Sequence, residues 1–510
     1  MNSQSQVNNK RIAKNTIALY IRMIVIMAIN FYMARVVLDV LGVTDYGIYN
    51  LVGTVVVVFS FMKSSLSEAT QRFLNYEMGN GTHKNLPQVF STCLNCYFIL
   101  ILFVLVMGAV FWLICGKYLD IPAERYEAAS FVFFISLLSF SFSILHVPYN
   151  AAIVACEKMS FFAKISILEA LLKLLLTVVV SYIAFDKLKS YSVLMCVNVL
   201  IILFVYYVYC HSNIPFCKYV RSVNKNNFKR ILSFTGWNMV GSLAGVLSES
   251  GVGLLFNTFC GVVLNAAIGL SNQINGALSG FVSGYQTAFK PQLVKSYAAR
   301  EMEGFYELLC RSSKFSYFLF FLISMPIIFN MDYLLSLWLV DVPPYAAFFS
   351  KIVLIGTLID ATSGVFYSSI GATGQIKHYQ LSISLVFFLH FILTLFLLLV
   401  GLPYEWVFFS RLITRGLANF CLGIYFIRKL TSLRPKNYLR QALSPILKIS
   451  ILPISVLLFF NYSFQSNIFT VILGSIIFEI ISVSCILTMG LSVSERKKII
   501  NYSKSKIGIL

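Results

Sequence analysis

Charge is scarce in this chain. Only 12% of its 510 residues are Asp, Glu, Lys or Arg, against 58% hydrophobic, and the mean hydropathy is +0.80. A soluble domain carries about twice that charge. The shortage excludes the several soluble domains that length alone would allow. No stretch between the apolar runs is long enough for one. Metal-ligand spacing is missing as well, because His83, His146, His211, His378 and His390 are scattered. Of eleven cysteines, Cys93 and Cys96 form the only tight pair; they lie in an apolar run with no second pair, which favours apolar packing over metal or redox chemistry. There is no Walker motif or other phosphate-binding Gly-rich loop, which argues against direct use of ATP. The longest outer connections, around Gly116–Glu127 and Asp332–Ala346, hold no acid/base constellation. Neither a metal nor a cofactor is called for.

What is there is a series of apolar runs of about 20 residues, each long enough to cross roughly 30 Å of hydrocarbon as helix. Fourteen are expected. Six lie near 15–38, 46–68, 90–114, 128–155, 162–184 and 190–210. Six more lie near 232–256, 264–288, 312–332, 347–372, 380–401 and 405–427, and two near 445–462 and 467–490. The fold class is therefore an all-α polytopic membrane protein, with lipid as the outer solvent of a helix bundle. The first run is too long for a signal-peptide core and lacks a clear cleavage site, so a retained first helix is expected.

The net charge of +20 invites a nucleic-acid reading, but the basic residues gather in loops on one side of the membrane. That side carries Lys10, Arg11, Arg72, Lys158, Lys229, Lys290, Lys295, Arg300, Arg428, Arg440 and the basic tail, among others. The other has Lys117, Arg125, Lys187, Lys189 and Lys351. The bias puts both termini in the cytoplasm.

The chain is written twice. Asn8–Asn9–Lys10–Arg11–Ile12 recurs 219 positions on as Asn227–Phe228–Lys229–Arg230–Ile231. At the same offset Gly42–Val43 meets Gly261–Val262, Ala69 meets Ala288 and Lys158 meets Lys377. Such self-similarity marks a transporter of two halves with a site between them. Residues 1–215 form the first six-helix bundle, 216–430 the second, and 431–510 two further helices and the tail. Six spans per half make the repeat parallel, about an axis along the membrane normal. Gln71–Leu86 and Pro291–Leu308 read as matching amphipathic connectors or as plain solvated loops. Gly241-x-x-x-Gly245 and Gly276-x-x-x-Gly280-x-x-x-Gly284 suit close helix packing. Pro148 and Pro326 are expected to bend their helices.

Charges inside the spans cost at least about 2.5–3.5 kcal/mol each. Arg35 is near enough to Asp39 to pair with it, and Lys63 sits close enough to a membrane face to snorkel or to line a cavity. Glu479 lies outside the repeat. Glu169 and Lys173 share a face at i,i+4, either neutralising each other or lining a cavity. Arg411 and Arg415 share a face too, but like charges ask for an anion or an unseen carboxylate. Arg22 is deep in the first span, on a polar stripe with Asn15 and Asn30. None of the repeat partners is charged: Arg22 corresponds to Gly241, Lys173 to Ile392, Arg411 to Ser192, Arg415 to Cys196, Glu249 to Asn30 and Asp360 to Ser141. The scaffold repeats and the charges do not, as suits an asymmetric ligand. The cations Arg22, Lys173, Arg411 and Arg415, with Lys63 and Asn30, point to an anionic one. Glu249, Asp360 and Glu169 are candidates for coupling to H+ or Na+.

Three segments carry a resemblance. Leu41–Gly42–Val43–Thr44–Asp45–Tyr46–Gly47–Ile48–Tyr49, Ala69–Thr70–Gln71–Arg72–Phe73–Leu74 followed by Glu77–Met78–Gly79, and Ala288–Phe289–Lys290–Pro291–Gln292–Leu293 resemble Wzx-type polysaccharide flippases. These belong to the MOP superfamily, with the multidrug MATE transporters. The resemblance implies a V-shaped pair of six-helix bundles working by alternating access in the bacterial inner membrane. It implies an undecaprenyl-pyrophosphate-linked oligosaccharide as cargo, moved to the periplasmic leaflet for O-antigen, capsule or exopolysaccharide synthesis, with membrane lipids and the polysaccharide polymerase and chain-length machinery as partners. Gln71, Arg72 and Pro291 read as structural or gating positions. Two other readings stay open: a MATE-like multidrug or organic-cation antiporter, which expects an acidic pocket, and a membrane-embedded glycan polymerase or ligase, which expects a larger outer loop.

Overall fold

The computed structural model describes residues 2–57, 59–81, 83–116, 121–221, 225–339, 342–431, 433–464, 467–492 and 495–496. The basic tail from 497 onward lies outside them. The described chain is helical, with no strand. The first part comprises α1 (Asn2–Val57), α2 (Ser60–Gly79), α3 (Leu86–Cys115), α4 (Tyr126–Leu145), α5 (Val147–Ala155), α6 (Met159–Ser181) and α7 (Lys187–Asn213). Then come α8 (Lys225–Ala298), α9 (Met302–Phe329), α10 (Met331–Trp338), α11 (Ala346–Thr373), α12 (Lys377–Leu399), α13 (Glu405–Arg415) and α14 (Leu422–Thr431). The last are α15 (Pro435–Tyr438), α16 (Ser444–Ser463) and α17 (Ile468–Cys485). Three π-helical turns, Gly416–Cys421, Leu439–Leu443 and Ile486–Gly490, interrupt or end this series.

Ten stretches of the described helices are long and apolar enough to span a bilayer by composition alone. The fourteen expected spans map onto the helices once two long elements are divided. In α1 the division is Gly42, at φ 75° and ψ 168°. That region of backbone space is open almost only to glycine. In α8 it follows from two hydrogen bonds. Asn238 and Lys290 both donate to Glu68, at 3.0 and 2.9 Å. A straight helix would hold them roughly 78 Å apart, so the chain reverses between them. The helix α6 falls short of the apolar criterion because Lys164, Glu169 and Lys173 lie within its 23 residues. The expected connectors begin as helix: Gln71–Gly79 continues α2 and Pro291–Ala298 continues α8.

Helix ends recur at the sequence offset. Gly79 ends α2 and Ala298 ends α8, 219 residues apart. The starts of α6 and α12, and those of α7 and α13, agree within one residue of that spacing. Backbone shape repeats even where the residue does not: after those helix ends Gly81 and Arg300 are both left-handed, at φ 74° and 60°.

By contact the chain forms two compact units that do not follow sequence order. The first contains residues 1–243 and 287–301, the second 244–286 and 302–510. In the first, Val37, Val40, Leu41, Val180 and Tyr191 form one core cluster, and Trp112 stacks on Phe133 at 4.5 Å. In the second, Phe349 stacks on Phe408 at 3.9 Å within a larger apolar core. The outward faces are apolar: Leu113, Phe204, Leu399 and Ile451 are all exposed, as lipid-facing side chains should be.

Candidate functional site

In the first unit, three helices bring charge together inside the spans, and a fourth supplies a hydroxyl. Lys63 of α2 donates to Ser143 Oγ of α4 at 3.0 Å. Lys173 and Glu169 of α6 form the i,i+4 ion pair expected, at 3.0 Å. Lys63 interacts electrostatically with both. Arg22 of α1 lies over the Phe162 ring at 4.5 Å and feels Glu169 and Tyr206. Its Nε is buried with no partner among the described residues. Three cations therefore lie within electrostatic reach of one carboxylate, with Lys173 bound to it directly. Asn30, further along α1, is exposed and stands apart from this group.

One member had no sequence signal. His146 occupies the break between α4 and α5, two residues before Pro148. Its ring stacks on Tyr206 of α7, with centroids 5.3 Å apart and planes at 9°.

In the second unit, Arg415 meets a carboxylate, one of the two partners that its like-charged neighbour Arg411 left open. Its Nη1 donates to Asp360 Oδ2 at 2.6 Å, while Asn419 donates to Oδ1 at 2.6 Å. Asn419 belongs to the π turn Gly416–Cys421 and stands four residues after Arg415, the spacing that puts two donors on one helix face. Gly356 of α11 leaves room for the Arg415 stem, 3.5 Å from where a Cβ would stand. Arg411, one turn earlier on α13, is half-buried. The Glu249 and Arg35 side chains lie outside the described residues.

The basic side of the first unit holds a second ion-pair system. Glu157, in the turn between α5 and α6, is buried and left-handed at φ 58°. Its carboxylate accepts from Lys295 at 2.7 Å and from Gln292 at 3.2 Å. Asn15 donates to its main-chain oxygen at 3.3 Å. Glu68, bound by Lys290 and Asn238, fastens the same stretch of α8 to α2. Gly79 packs so closely there that a Cβ would fall 2.4 Å from the Lys295 carbonyl oxygen. Among the motif residues, Arg72 lies over Phe73, Tyr76 and Phe234 at 4.5, 5.0 and 5.4 Å. Gln71 donates to Ser67 at 3.3 Å, and Pro291 is buried within α8. Beside Glu157 a cavity of about 510 Å³ is lined by Lys158, Lys164 and Tyr209. In the sequence Lys290 and Lys295 count toward orientation, and Lys290 toward a motif segment, with no sign of what they bind. Their partners stand 222 and 138 residues away, beyond any local pattern.

On the sparsely charged side, Arg125 bridges Asp45 and Asp186, with Nε donating to Asp45 at 2.9 Å and Nη1 to Asp186 at 2.7 Å. Asp186 also caps α7 by accepting from the Leu188 and Lys189 amides. Burial works to raise its carboxyl, but the Lys189 amide and Arg125 outweigh that and hold it below the usual range.

No known family model matches the sequence, and no curated protein does. Solved structures match the fold. A MATE transporter of Vibrio cholerae, VcmN in a point-mutant form, aligns with TM-score 0.72 at 16% identity, over 85% of this chain and 99% of that one. A MATE protein in its straight conformation aligns with TM-score 0.70 at 13% identity, over 83% and 96%. A MOP superfamily transporter from Pyrococcus furiosus, described as having a binding pocket of reverse polarity that suggests a different function, aligns with TM-score 0.66 at 12% identity, over 82% and 96%. The chain has the MATE fold.

Proposed function

We propose that this chain is a flippase that carries a polyprenyl-diphosphate-linked oligosaccharide from the cytoplasmic to the periplasmic leaflet of a bacterial inner membrane. The observation that carries the reading is the cationic cluster of the first unit: Arg22, Lys63 and Lys173 around the single carboxylate Glu169. Cations held inside a span need an anion, and a diphosphate supplies it. The flippase-like motif segments support the same cargo. On this reading the basic side is cytoplasmic, with both termini there, and the polymerase receives the product.

Arg22 and Lys63 become the principal anion contacts. Lys173 shares its charge with Glu169, and Arg415 with Asp360, so these two act as parts of neutral pairs until a stronger anion arrives. Asp360 and Glu169 remain the coupling candidates for H+ or Na+. A second reading, an organic-cation antiporter, is favoured by the MATE fold and by the partly exposed Asp360 carboxylate.

The deciding experiment is a deletion strain whose polyprenyl-diphosphate-linked oligosaccharides are extracted leaflet by leaflet. Complete repeat units trapped on the cytoplasmic side, restored by wild type and not by Lys63→Met, are expected. Unchanged pools with altered tolerance to cationic drugs select the antiporter. Repeat units that reach the outer leaflet and stay unpolymerised select an enzyme.

A further inference from the structure

The cationic cluster contains a group that anion binding alone does not require. His146 sits where α4 breaks, and its Nδ1 is buried without a partner among the described residues. Leaving such an atom unpaired is costly, so its placement asks for a ligand. The groups facing the ring come from every packed element that carries charge. They are Lys63 on α2, Glu169 and Lys173 on α6, Tyr206 on α7, and Arg22 on α1 beside Tyr206. The helix α3 has no charged residue. Ser143, one turn before His146, already holds Lys63 at 3.0 Å.

An imidazolium here would leave a buried charged N–H with no side-chain acceptor, next to two lysines and one glutamate. A neutral ring avoids both costs as long as no anion is bound. A diphosphate brings two or more negative charges and acceptor oxygens, which reverses both objections. We propose that His146 is a proton-binding group tied to the anion: it takes up one proton, released by the buffer in solution, when a phosphate group enters the cluster, donates that N–H to a phosphate oxygen, and returns the proton to the solution when the anion leaves. One proton then accompanies each anion through the unit. This rests on the anionic-cargo reading above and adds to it the group that carries the coupling.

The test uses the full chain in nanodiscs, with farnesyl diphosphate as the probe. Calorimetric titrations in two buffers of different ionisation enthalpy, at about pH 8 where the diphosphate is fully ionised, give the protons taken up per ligand. Wild type is expected to take up about one, and its Kd to weaken about tenfold per pH unit above neutrality. His146→Gln is expected to bind with no proton uptake and a flat pH profile, whereas Lys63→Met loses affinity at every pH. Binding by wild type without proton uptake, or uptake unchanged in His146→Gln, overturns the proposal and leaves the anion reading standing. No binding by wild type, or full binding by Lys63→Met, overturns the anion reading and the proposal with it. Should His146→Gln not fold, His146→Asn and the wild-type uptake decide on the same terms.

Discussion

At the scale of the residue, the most consequential side chain is Glu157. It is a buried carboxylate in a left-handed turn, with Lys295 and Gln292 on its two oxygens. Removing one partner of a buried pair strands the other and costs about 3–5 kcal/mol. Glu157→Gln is therefore expected to lower the thermal midpoint markedly in detergent, and adding Lys295→Met is expected to recover part of the loss in a double-mutant cycle. Glu495 offers a pH test. Burial works to raise its carboxyl, but the Ser492 amide and Lys314 outweigh that and hold it below the usual range. The Ser492 amide donates to it at 2.8 Å and Lys314 at 3.0 Å. A carboxyl held low in the folded state contributes stability in full above its unfolded pKa of about 4.3 and loses it as the pH falls through the folded value. Wild type is thus expected to lose thermal stability from about pH 4 downward, and Glu495→Gln to start lower at neutral pH and lose less. Parallel curves for the two proteins would refute the assignment.

At the scale of the element, glycines and a wide turn shape the long helices. Gly79→Ala would drive a methyl group into the Lys295 carbonyl, a backbone atom that cannot swing aside. The cost of such overpacking is about 1–3 kcal/mol, readable as a lower thermal midpoint. Gly42→Ala is expected to cost about as much for a different reason, since the space around it is open and only its backbone angles object. The helices themselves were legible, because an uncharged run of span length admits one reading. The fold class and the approximate span count followed from hydropathy alone. The two divisions within α1 and α8 were legible as gaps between runs, although the helical backbone carries on close to them. What hydropathy could not supply was direction around the helix. That Arg411 and Arg415 ask for an anion or a carboxylate could be read from their spacing, but Asp360 became the partner of Arg415 only through packing, 55 residues away. His146 looked like one of five scattered histidines because its neighbours come from four other helices.

At the scale of the whole molecule, several helix ends recur at the 219-residue offset at which the sequence resembles itself. The compact units cut across that pattern. The first unit takes residues 287–301 from beyond the middle of the chain, fastened by Glu68 and Glu157. A protein severed in the loop near residue 218 is therefore expected to yield an N-terminal fragment that proteases digest readily, and co-expression of the other fragment is expected to protect it. Equal resistance of the lone fragment would mean that those ion pairs add little.

That arrangement also sets a timetable for synthesis. The first unit is not complete when its own seven helices have left the ribosome. It must wait for the chain to pass through residues 244–286, which go to its neighbour, and return with Lys290 and Lys295. At about 5–20 residues per second that delay lasts several seconds. During it Glu68 and Glu157 sit in the nascent protein without their lysines. The insertion machinery, or the lipid headgroups at the basic face, must shelter two carboxylates until the second half arrives to claim them.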